Sequence, residues 1–107
     1  MSENKNIKKL DNDNFEATIK NGVCLIDFWA AWCMPCRMQG PIIDTLADKI
    51  GAKINICKLN VDDFPELAGK YGVMSIPTLI VFKNGQPVNQ FVGVQNKETL
   101  LNALENV

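Results

Sequence analysis

The sequence predicts an α/β chain: a mostly parallel central sheet with an antiparallel edge hairpin, flanked by helices on both faces. Three observations carry that prediction. VCLIDF (23–28), KINICKLNV (53–61) and TLIVF (78–82) are near-continuous apolar runs of strand length, as expected of strands covered on both sides. Segments of helical periodicity separate these runs, and strands alternating with helices build parallel sheets. Asn84-Gly85, between the third run and residues 88–92, is a strong hairpin signal.

Taken in order, the first element is a short helix. Asp13 with Glu16 three residues later resembles a capping pair, Phe15 and Ile19 share a face, and Asn21-Gly22 ends the segment. The first buried strand, 23–28, is interrupted by one acid, Asp27. After WCMPC, the residues Met38, Ile42, Ile43, Leu46, Ala47 and Ile50 recur at helical spacing until Gly51. Pro35 suits the first turn of that helix, whereas Pro41 removes an interior hydrogen bond and is expected to kink it. The second strand follows, then a helix opened by Pro65 and closed by Gly72. The third strand and its hairpin partner precede a last amphipathic helix at 97–105, with Leu100, Leu101 and Leu104 on one side.

At 107 residues the chain suffices for one domain, 1–107, with its own core. With 47% hydrophobic and 21% charged residues, disordered and collagen-like classes are excluded. The 11 basic and 12 acidic residues leave a net charge of −1 without a basic cluster, so neither nucleic acid nor an anionic membrane is an expected partner. The N-terminal MSENKNIKKLDNDN has no apolar core of a secretory signal, and no apolar run is long enough to span a bilayer. A reducing cytoplasmic location is expected, where four cysteines are not presumed to form two bridges. The chain has no histidine, which excludes Cys–His nucleophiles, His-ligated zinc and His general bases.

The chemistry centres on Cys33 and Cys36. A C-x-x-C at the start of a helix in a βαβ setting points to redox work. Cys33, at the helix N-terminus, faces unpaired N–H groups that favour its thiolate; Cys36, one turn further in, is expected to be better shielded. Cys33 is thereby the attacking thiol and Cys36 the resolving one. Zinc is the competing reading, but Cys24 and Cys57 lie in mid-strand and provide no second C-x-x-C; they read as small buried hydrophobes. Asp27 is expected to carry a raised pKa and to accept the Cys36 proton, the alternative being a strand-end acid that reaches water. Lys58 is a candidate proton-transfer partner or a snorkelling surface lysine. Pro77 either begins a strand or is cis in a turn, and unpaired backbone beside the thiols would let an extended substrate add as a strand.

From about Phe15 onward, DFWAAWC, P-C-R, Pro41, KLNVDD, YGV, SIPTLIVFKNG and FVG together resemble the thioredoxin family. The resemblance implies the thioredoxin fold, with Cys33 as nucleophile, Cys36 as resolving thiol, Asp27 as buried acid and Pro77 as a cis-proline facing the thiols. It places Trp29, Trp32, Met34, Pro35, Ile76 and Gly93 around the active site or substrate groove. It further implies a protein-disulfide reductase without cofactor or metal, recycled by a separate reductase, acting on disulfide-containing proteins and expected to be a monomer. Met34 and Ser75 stand where Gly is frequent in the family. Met34 brings no charge or donor to the thiolate, so it is expected to tune docking more than chemistry. Two other readings of the same groove are a module that holds partners without turnover and an oxidase or isomerase of an oxidising compartment.

Overall fold

A computed structural model describes residues 4–107; the first three residues of the polar N-terminal segment, and of the expected 1–107 domain, lie outside the described residues. The chain forms β1 (Ile7–Lys9), α1 (Phe15–Ile19), β2 (Val23–Trp29), α2 (Met34–Ile50), a 3-10 turn (Gly51–Lys53), β3 (Asn55–Asn60), α3 (Pro65–Lys70), β4 (Thr78–Lys83), β5 (Gln86–Val92) and α4 (Lys97–Glu105). The five strands lie in the order β1-β3-β2-β4-β5, with β2 central.

The sheet is mixed. Strands β1 and β2 both run parallel to β3, whereas β4 is antiparallel to β2 as well as to β5. Antiparallel pairing therefore begins one strand earlier than the sequence pattern placed it. A strand buried on both faces reads as a continuous apolar run whichever way it points, so its direction is silent in composition. Strand β1 is an addition for the same kind of reason. It has only three residues, two of them exposed lysines, at the sheet edge, too little for a period-2 pattern.

Alternation along the strands sorts the core into two layers. Cys24, Ile26, Phe28, Cys57, Leu59, Ile80 and Phe82 pack with Phe15 and Ile19 of α1 and Ala68 of α3. Leu25, Ile56, Leu79 and Val81 pack on the other face with Ile43, Leu46 and Ala47 of α2 and Leu100 and Leu104 of α4. The central strand is accordingly covered on both sides, as its unbroken apolar run requires.

The local signals mostly act as expected. Asn84 and Gly85 take positive φ values of 50° and 86° in the hairpin turn. The Asn84 side chain also accepts from the Gly22 N–H at 2.8 Å, tying this turn to the loop before β2. Helix α2 continues through Pro41, and Gly51, at φ 66°, caps its end. The start of α1 differs from the expected Asp13–Glu16 pair. Asp11 accepts from the N–H groups of Asp13 and Asn14 at 2.8 Å, and Asn14 accepts from the Asp11 N–H at 2.8 Å. These bonds close the turn that leads into α1, whose N-cap is Asn14 and makes no side-chain hydrogen bond to the helix, so neither acid caps it.

Candidate active site

Strand β2 delivers the chain to the site, and α2 begins there. Ala30, Cys33 and Cys36 are buried together against Trp29, Val61 and Ile76. Cys33 occupies the N-cap of α2 in extended conformation, and Pro35 sits in the first turn, where its missing N–H costs nothing. The two cysteines are joined in a disulfide with Cα atoms 5.2 Å apart. Cys33 Sγ also accepts the Cys36 N–H at 3.2 Å, so the sulfur meets a helix-terminal donor directly. Arg37 holds the preceding loop, its Nε and Nη2 donating to the Ala31 carbonyl at 3.3 and 3.2 Å.

The expected difference in shielding is not found. In the disulfide, Cys33 and Cys36 are 3% and 4% exposed. What distinguishes them is their partners: Cys33 has the cap interaction, and its Sγ lies 3.7 Å from the Ile76 carbonyl oxygen, a contact its thiol can use as donor. Fold context, not depth, makes the pair unequal, because the loop before β4 closes over Cys33.

That loop carries the second half of the site. The Ile76–Pro77 peptide is cis. Gly93, at φ 93°, donates its N–H to the Pro77 carbonyl at 2.8 Å, with open space where a Cβ would stand. Trp32 is exposed and donates its indole N–H to Asp62 Oδ2 at 2.8 Å, while Trp29, at the end of β2, is half-buried. Met34 and Pro35 are exposed beside the disulfide. The residues expected at the site from Trp29 to Pro35, with Ile76, Pro77 and Gly93, therefore gather at one end of the sheet.

Asp27 lies deeper. It shares a strand face with Leu25 beneath α2, the helix that bears Cys36, and is 1% exposed. Its Oδ1 has no hydrogen-bond partner among the described residues. Burial pushes its pKa from the ordinary 3.8 up to about 7, with the Lys58 charge partly opposing the rise. Lys58 stands opposite Asp27 in the β2–β3 register and holds its Nζ 5.8 Å from the centre of the Trp29 ring. An acid that changes charge near neutrality beneath the redox helix is chemically equipped to exchange a proton there.

Cys24 and Cys57 are a separate pair on the opposite face of the sheet. Both are fully buried, with sulfurs 3.5 Å apart, and the hydrogen bond shared with Cys24, with burial behind it, pushes the Cys57 thiol up. Among the described residues no group of three or more Cys, Asp or Glu side chains is arranged to hold a metal ion.

Three contributors, Gln39, Gln95 and Asp62, were not read from the sequence. Gln39 is fully buried and clasps Gln95, donating to its carbonyl at 3.0 Å and accepting its N–H at 2.7 Å. Gln95 in turn donates to the Gly93 carbonyl at 3.3 Å, so α2 is pinned to the Gly93 loop through side chains. The spacing Cys36, Gln39, Ile43, Leu46 puts Gln39 on the buried helix face and was a usable signal. Asp62, the partner of Trp32, lies within the KLNVDD stretch, but nothing local in that stretch points to the contact.

A model of the thioredoxin family matches residues 6–106. Curated thioredoxins of Staphylococcus saprophyticus and Staphylococcus aureus are 52% and 50% identical over 99 residues, covering 92% of this chain and 95% of theirs. The solved structure of a mutant thioredoxin from Halobacterium salinarum superposes with a TM-score of 0.85 at 31% identity, covering 98% of this chain and 94% of that one. With that similarity along nearly its whole length and a disulfide heading its longest helix, the chain belongs to the thioredoxin family of thiol-disulfide oxidoreductases.

Proposed function

We propose that the chain reduces protein disulfides with Cys33 as nucleophile and Cys36 as resolving thiol. The observation that carries the assignment is the Cys36 N–H donating to Cys33 Sγ at the N-cap of α2. In the dithiol form that donor and the helix terminus favour a Cys33 thiolate. The thiolate attacks one sulfur of a target disulfide; the target S–S bond breaks, a target thiolate leaves, and a mixed disulfide remains. Cys36, losing its proton to Asp27, then attacks Cys33 Sγ, frees the second target thiol and restores the intramolecular disulfide. Lys58 acts through Asp27 by limiting how far its pKa rises. The extended segment of the target lies against Trp32, Ile76, Pro77 and Gly93.

Family membership implies a reductase and disulfide-containing proteins as partners. We place the protein in the cytoplasm as a monomer of one domain, 1–107, needing no cofactor beyond its disulfide and binding neither nucleic acid nor membrane. Among the described residues no helix is long and apolar enough to cross a membrane. The test is trapping: Cys36→Ser should accumulate mixed disulfides with insulin, releasable by dithiothreitol, while Cys33→Ser should form none. Equal trapping by the two variants would reverse or remove the assigned roles.

A further inference from the structure

Methionine is among the residues most often buried, yet none of the methionines among the described residues lies in the core. Met34, Met38 and Met74 are 68%, 65% and 95% exposed. Their placement is concentrated. Met34 follows Cys33 as the first residue of α2, and Met38 stands one turn later, at i+4, on the same exposed side. Met74 lies two residues before Ile76, whose carbonyl contacts Cys33 Sγ. Three solvent-open thioethers thus stand on the two segments that meet at the disulfide, while the redox sulfurs themselves are covered.

We propose that these methionines are a modification site for hydroperoxides, and that their sulfoxides weaken docking of protein disulfides without touching the thiol chemistry. The proposal rests on the reductase reading given above. In the reaction the O–O bond of the peroxide breaks and one oxygen bonds to the methionine sulfur, which loses two electrons. The other oxygen leaves as water or an alcohol, so no further reductant or proton donor is consumed. An apolar, adaptable side chain becomes a polar one, which a partner must desolvate on contact. The thiol pairs are spared in the oxidised protein, because Cys33 and Cys36 are already joined and Cys24 and Cys57 are fully buried.

The experiment treats the disulfide form with hydrogen peroxide, maps the added oxygen by peptide mass spectrometry, and then measures insulin reduction with dithiothreitol as regenerating reductant. All three methionines should oxidise at rates within about threefold of a free methionine amide. The treated protein should show an apparent KM for insulin raised about fivefold or more, with kcat little changed. The thermal midpoint should stay where it was, since no core contact is altered. The same treatment of the Met34→Leu/Met38→Leu/Met74→Leu variant should leave its own turnover, treated against untreated, unchanged. Protected methionines, an unchanged KM, an equal loss in the leucine variant, or a fall in the thermal midpoint matching the lost turnover would each overturn the proposal. Failure of the untreated protein to reduce insulin would instead overturn the reductase reading, so the two are told apart.

Discussion

A carboxyl group that is 1% exposed, with one oxygen unpartnered among the described residues, makes the stability of this protein depend on pH through Asp27. Its folded pKa of about 7 lies above the ordinary 3.8, so ionising it opposes folding. The penalty is absent below 3.8, grows as pH rises, and is complete above about 7. Over that interval it amounts to roughly 4 kcal/mol at about 1.4 kcal/mol per pH unit. In urea titrations of the disulfide form, Asp27→Asn should therefore gain on the unaltered protein by up to about 4 kcal/mol between about pH 4 and about pH 8. Parallel pH profiles for the two proteins would show that Asp27 is not desolvated. The same substitution should slow resolution of the mixed disulfide, measured as longer-lived insulin adducts. Asp27 was legible in the sequence because an acid inside an apolar strand has few bland explanations. Lys58 was less so, since only the strand register reveals that it faces Asp27.

Helices and strands were legible where a period had room to repeat. Helix α2, with 17 residues, and α4, with Leu100 and Leu104 inward, follow their apolar spacing, except that Met38, counted in the α2 stripe, is exposed while Gln39 beside it is buried. Strand β1 and the direction of β4 were not, because three residues hold no period and burial carries no polarity. The beginning of α1 shows a third way to miss: two acids stand close together, and only backbone geometry decides which one closes the turn before the helix. Asp11 receives two N–H groups, whereas Asp13 is exposed. Asp11→Ala should cost about 1 kcal/mol in chemical denaturation. Asp13→Ala should stay within about 0.5 kcal/mol. The reverse order would restore the simpler reading of the sequence.

Across the whole molecule the sheet keeps two thiol pairs apart. Cys33 and Cys36 lie at the end of β2, while Cys24 and Cys57 are sealed on the face covered by α1 and α3. In the reduced, folded protein iodoacetamide should modify Cys33 quickly and Cys36 slowly, the thiolate at the helix cap being the reactive species. Cys24 and Cys57 should react only as the sheet opens, with rates that follow global unfolding in added urea. Rapid labelling of either would mean that β2 and β3 part far more easily than their packing indicates. The strand order has one further consequence, for the chain as it is made. Strand β2 pairs with β4, residues 23–28 against 78–83, so the centre of the sheet waits for a partner 50 to 60 positions downstream. Cys33 and Cys36 emerge early from the ribosome, whereas Ile76, Pro77 and Gly93 emerge late. Until those late residues are made, the nascent chain has its redox sulfurs but not the groove that chooses their partners, so selectivity waits for the second half of the sheet.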